Sequence, residues 1–313
     1  MPPGLFAIPF GLLGLAGAWR RMAEFRWEYA DAIAFGLLHV ATGLLELLLL
    51  LFAVRLIRFR ADVARDFNHP VHGPMLSLAP LSVMLAVALW AGPGSAMTAG
   101  GWGAPIVALA LAVQGMIAAR VVSQVATGSI AVDATTPALY LPPVGGGLIG
   151  AMALTALGHH GWAVLLFGMA LGGWFLLEMR VLNRLFAGPL PPPLRPTLGV
   201  EIAPAPVATL TASILWPGLP ADVLLIGLGI ACGPILAVLA RWRWWSNVPF
   251  SAGFWSFSFP VAAFASAIVE AVRRGGWPLP VAYAAVVIAT ALILFLTLRT
   301  LLLTLRGRLI PPG

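Results

Sequence analysis

Lysine is absent from this chain of 313 residues, and all 18 basic residues are arginine. Alanine, glycine and proline are abundant, so the missing lysine reads as the coding bias of a GC-rich genome. No GxxxxGK[ST] phosphate loop is present. Cys232 is the single cysteine, which excludes an intrachain disulfide and any cysteine-based metal cluster. Charge is scarce as well, with 9% charged and 60% hydrophobic residues. A soluble domain is about a quarter charged, so the chain is read as an integral membrane protein. The start, MPPGLFAIPF, lacks the basic region of a signal peptide, and its apolar segment is expected to be kept. No Ser/His/Asp, HExxH or paired-aspartate constellation stands at membrane depth, so an enzyme is not expected, and neither is a cofactor. A net charge of +7 reports topology before it reports a partner.

What is there is apolar length. About 20 residues cross a bilayer core as a helix. Ten stretches qualify, near 4–20, 30–55, 74–92, 102–122, 137–157, 161–180, 197–215, 219–240, 250–272 and 279–303. Connections are short, no soluble domain fits, and residues 1–313 are read as one all-helical membrane domain of five hairpins. With a cytoplasmic N-terminus, 13 of the 18 arginines fall on the cytoplasmic side. The positive-inside rule then places both termini in the cytoplasm, in the inner (plasma) membrane. The first outer loop balances Arg20, Arg21 and Arg26 with Glu24, Glu28 and Asp31.

The odd-numbered stretches share a feature that the even ones mostly lack. FAIPFGLLGL, LSLAPLSVML, LYLPPVGGGL, VEIAPAPVAT and FSFPVAAFAS each carry an internal proline: Pro9, Pro80, Pro142, Pro204 and Pro260. Pro105 and Pro234 are the exceptions on even stretches. A recurrence of this kind implies repeated architecture. Broken helices are tolerated in membranes where they face protein or a water-filled cavity. Five kinked helices around one axis, enclosed by five straighter ones, would make a pore. The other reading is that proline is simply commoner in membrane helices. The residues before the prolines are Ile8, Ala79, Leu141, Ala203 and Phe259. If they ring the axis, one aromatic ring faces small side chains and plugs the pore; otherwise Phe259 is packing.

Five stretches, PPGLFAIPFGLLGLAGAW, HPVHGPMLSLAPLSVML, TTPALYLPPV, RPTLGVEIAP and FWSFSFPVAAFAS, occur in an order that resembles TehA-like members of the tellurite-resistance/dicarboxylate transporter family, relatives of plant guard-cell slow-type anion channels. The resemblance implies ten helices in quasi-five-fold arrangement, a central anion pore in each subunit, and a homotrimer. It also implies a phenylalanine gate on the ninth helix, and the matching residue is Phe259. The function expected is passive conduction of small monovalent anions such as chloride or nitrate. The alternative is a proton-coupled carrier or exporter of C4-dicarboxylate, sulfite or tellurite. The partners expected are small inorganic or organic anions and the lipid bilayer, without nucleic acid.

Two features depart from that pattern. Glu201 lies three residues before Pro204, where an apolar residue is expected, and a carboxylate opposes anions. It is read either as a pore or proton-linked group, or as a residue of the cytoplasmic mouth paired with Arg195. His39, Thr42 and Glu46 share one face of the second helix, at i, i+3 and i+7. They are read as a proton relay or as hydrogen-bonding glue at a subunit contact. His69 with His72, and His159 with His160, are too few to make a metal site. Gly145, Gly146 and Gly147 are expected to allow close backbone approach or leave space opposite Phe259. Trp242, Trp244 and Trp245 among Arg241 and Arg243 read as an interfacial anchor.

Overall fold

The computed structural model describes residues 2–92 and 94–308. Ten helices carry the fold, and among the described residues there is no strand. They are α1 (Ala7–Met22), α2 (Ala30–Arg58), α3 (Leu78–Trp90), α4 (Gly103–Ala126), α5 (Gly146–Ala156), α6 (His160–Phe186), α7 (Pro204–Leu215), α8 (Ala221–Ala240), α9 (Ser258–Gly275) and α10 (Leu279–Leu305). Counting the short turns that lead into α3, α5, α7 and α9, nine helical spans among the described residues are long and apolar enough to cross a membrane. The tenth, α1, has 16 residues behind a 3-10 turn at Pro3–Phe6.

Burial separates the helices into two layers. The spans ending in α3, α5, α7 and α9 are 67–83% buried, whereas α2, α4, α6, α8 and α10 are 17–28% buried. α1 belongs with the first group, since Phe10 through Trp19 is buried throughout. The inner helices contact one another in the cyclic order α1, α3, α5, α7, α9 and back to α1. Each outer helix packs against two inner neighbours: α2 on α1 and α3, α4 on α3 and α5, and so on to α10 on α9 and α1. The outer helices keep apolar side chains facing outward, among them Leu47, Leu109, Phe175, Ile226 and Phe295. This is the arrangement expected of a chain whose solvent is lipid.

The five prolines stand near the junction where each inner span passes from a short turn to a longer helix. Pro9, Pro80 and Pro260 occupy the third position of α1, α3 and α9, and Pro204 is the first residue of α7. Pro142 sits in a π-turn, Leu141–Gly145, that leads into α5. Each is preceded by a short 3-10 or α turn. The first amides of a helix have no intrahelical partner, so a proline there forfeits no hydrogen bond. The approach turns also take up carbonyls that proline would orphan: the Leu76 carbonyl accepts from Ala79 N–H at 3.3 Å, and Val200 from Ala203 at 3.0 Å. Side chains of neighbouring helices help. Gln114 of α4 donates to the Leu141 and Pro142 carbonyls at 3.1 and 2.9 Å, and Ser82 of α3 donates to the Phe6 carbonyl at 3.3 Å.

Candidate functional site

The inner helices surround three cavities stacked end to end. The first, about 370 Å³, is lined from the N-terminal ends of all five inner spans, including Ala7, Leu78, Leu141, Ala203 and Pro260. The third, about 260 Å³, is lined from their C-terminal halves, including Gly17, Leu89, Ala156, Ile214 and Glu270. All five inner helices therefore run in the same direction. Between these vestibules lies a small cavity of about 40 Å³, whose lining among the described residues includes no charged side chain. Among the described residues, Phe259 is the one that lines all three.

Phe259 is 6% exposed and its ring stacks on Phe10, with centroids 4.0 Å apart. The expectation of an aromatic facing only small side chains is thus incomplete: a second ring, from α1, shares the constriction. Glycine makes room for the pair. A Cβ added at Gly14 would lie 2.8 Å from the Phe259 ring and 3.3 Å from Ala262. Gly145 lines the middle cavity as well. Gly146 and Gly147 instead allow close packing, since a Cβ there would meet Gln114 of α4 at 2.6 Å and Ala170 of α6 at 2.7 Å.

Of the five residues preceding proline, Leu141, Ala203 and Phe259 line the cavities. On α1 and α3 the lining falls instead to Ala7 with Phe10 and to Leu78 with Leu81. These pairs are spaced i, i+3 and share a face, from which Ile8 and Ala79 are rotated by one residue, about 100°. All five prolines are buried, and of these Pro204 and Pro260 reach the cavity surface.

Among the described residues Glu201 is not in the lining of the three stacked cavities, although its neighbour Val200 lines two of them. It is buried, and its Oε2 has no hydrogen-bond partner among the described residues. The expected pair with Arg195 is not formed. Arg195 donates to the Leu190 and Trp244 carbonyls and lies over the Trp244 ring at 4.8 Å. Backbone acceptors beside the 3-10 turn at Pro192–Thr197 satisfy it before it can reach Glu201. The charges that act on Glu201 are Glu178 and Arg241. Glu178 of α6 in turn accepts from Tyr140 O–H and Trp174 N–H, each at 2.7 Å.

The stripe on α2 is divided. Thr42 joins two helices, accepting from Trp90 Nε1 of α3 at 2.9 Å and donating to the Leu38 carbonyl. His39 is exposed, with Nδ1 2.8 Å from the Phe35 carbonyl, and Glu46 is exposed on the outer face. Neither is in the lining of the three stacked cavities. At the first vestibule, Asp66 pairs with Arg55 at 2.6 Å and with His72 at 3.3 Å. His69 stacks on His72, and its Nδ1 accepts from two backbone amides. Partial desolvation and the neighbouring His72 lower its imidazole pKa from the ordinary histidine value. His159 and His160 are exposed. Trp244 and Trp245 pack against the inner layer, with Trp245 stacked on Phe257 at 4.6 Å.

Three groups escaped the sequence reading. Phe10 follows its proline instead of preceding it. Gln114 interrupts the otherwise apolar first half of α4, and that interruption was a usable signal. The Arg21–Glu270 pair, 3.4 Å apart, joins residues that are distant in sequence and has no local signature.

Comparison with known proteins agrees with this architecture. A curated relative, a tellurite resistance protein TehA homolog of Haemophilus influenzae, is 28% identical over 272 residues, covering 85% of this chain and 80% of the relative. The family model described as voltage-dependent anion channel matches residues 1–305. The chain therefore belongs to the voltage-dependent anion channel family.

Proposed function

We propose that the chain is a passive channel for small monovalent anions such as chloride and nitrate, closed in this state by Phe259 stacked on Phe10. The observation that carries the reading is the position of Phe259, shared by two vestibules and the narrow cavity between them. A constriction lined by apolar rings excludes water and so blocks ions. The preference for anions has a source that needs no buried cation. The inner helices begin beside the constriction, and helix N-termini carry partial positive charge. In this reading all ten helices cross the membrane as five hairpins, both termini are cytoplasmic and the first vestibule opens to the cytoplasm. Three subunits assemble, each with its own pore.

A coupled carrier of dicarboxylates is disfavoured by the same geometry. Such a carrier needs a cationic partner for the carboxylates at the binding depth, and the middle cavity has none. The test is anion flux into liposomes. Phe259→Ala raises chloride and nitrate flux well above wild type, while empty liposomes and wild type stay low. Equal flux for both proteins sinks the gate.

A further inference from the structure

The vestibule at the C-terminal ends of the inner helices carries charge that the gate does not use. Arg20, Arg21, Glu24 and Glu270 line it, two of each sign. The arginines here are tied to helix ends. Arg20 donates to the Leu89 carbonyl in the last turn of α3, and Arg21 to the Gly17 carbonyl of α1 at 3.0 Å. Arg274 donates to Ser213 and Trp216 carbonyls at the end of α7. Helix C-termini carry partial negative charge, which would repel an anion at this mouth. The guanidinium groups offset it on three of the five inner helices. Glu270, only 6% exposed, holds the arginines in place: it accepts from Arg273 and Arg274 and pairs with Arg21 at 3.4 Å. The Arg21 atom in that pair is Nε, which faces Glu270 Oε1 without a hydrogen bond. Ser266 adds a hydroxyl to the wall.

We propose that Arg20 and Arg21 form a capture site for small inorganic anions in this vestibule, and that Glu24 at its rim sets how strongly it attracts them. The inference rests on the channel reading. With lining charges of each sign balanced, removing one carboxylate leaves the site net positive. Glu24 is exposed and its ion partner is Arg273 at 3.3 Å, so Glu24→Gln changes charge without disturbing the core.

The experiment uses the Phe259→Ala channel as parent, with chloride currents recorded in planar bilayers at about 0.01 M and about 1 M salt, where the screening length falls from roughly 30 Å to 3 Å. At low salt, Glu24→Gln raises the current of chloride entering through this vestibule about twofold, the factor a unit charge some 8 Å away gives in water. Arg21→Gln lowers it by a similar factor. Both effects vanish at high salt. Chloride currents that neither variant changes at low salt overturn the capture site alone, as do changes of equal size at both salts, which would mark altered packing. A parent without anion current overturns the channel reading and the capture site together.

Discussion

The constriction is decided by two rings and the glycine behind them. Phe259 is buried but has a cavity on either side, so its truncation forfeits a stacking contact worth about 0.5–1.5 kcal/mol beyond area burial, plus less packing than a ring enclosed on all sides would lose. A fully packed core phenylalanine costs about 3–5 kcal/mol when cut to alanine. Phe259→Ala is therefore expected to fold and assemble with a small drop in thermal stability and a large gain in anion current. Phe10→Ala should open the pore in part. Because the rings touch, the two substitutions should not add, and a double-mutant cycle on conductance measures the coupling. Phe257→Ala is the control: Phe257 stacks on Trp245, lines none of the three cavities, and should lower stability without raising current. Glu201 is the opposite case, a buried charge-capable side chain that is not in the lining of the three cavities. Glu201→Gln should leave single-channel conductance near the wild-type value. A large gain, or a change in the sign of the permeant ion, would show that the carboxylate controls permeation.

Among the elements, the inner spans show how the proline pattern works. Proline stands where the approach turn gives way to the helix, within the first three residues of four inner helices and in the turn just before α5, and the N-terminal ends of all five inner spans line the first vestibule. The odd–even alternation was legible in the sequence because proline and apolar length are local properties. The position of each proline within its helix was not, because it depends on which neighbour accepts the freed backbone groups. Gln114 shows this: it sits on α4 but serves the break before α5. Gln114→Leu should strand those carbonyls and cost about 1–3 kcal/mol, read as a lower unfolding temperature in detergent with unchanged ion selectivity. An unchanged unfolding temperature would mean that water replaces the amide. The Glu201–Arg195 pairing was misjudged for a related reason. Sequence proximity suggested it, but the backbone acceptors that claim Arg195 are the carbonyls of Trp244, in the Trp242–Ser246 helix, and of Leu190.

At the scale of the whole molecule, an inner ring wrapped by outer helices leaves α2 with two ionisable groups on its outward face. His39 and Glu46 would meet lipid in an isolated subunit, where ionisable groups are costly. In a trimer they are expected at the subunit contact. Light scattering in detergent should then give about three times the 32.9 kDa subunit for the protein, and a smaller assembly for Glu46→Leu. An assembly that survives the substitution would remove the stripe from the contact. The account as a whole stands on anions passing down their gradient without protons. The most direct measurement is the reversal potential of Phe259→Ala in planar bilayers under asymmetric chloride, with and without a pH gradient. The account predicts a reversal close to the chloride equilibrium potential that the pH gradient does not move. A reversal near the cation potential, or one that shifts with the pH gradient, would contradict it.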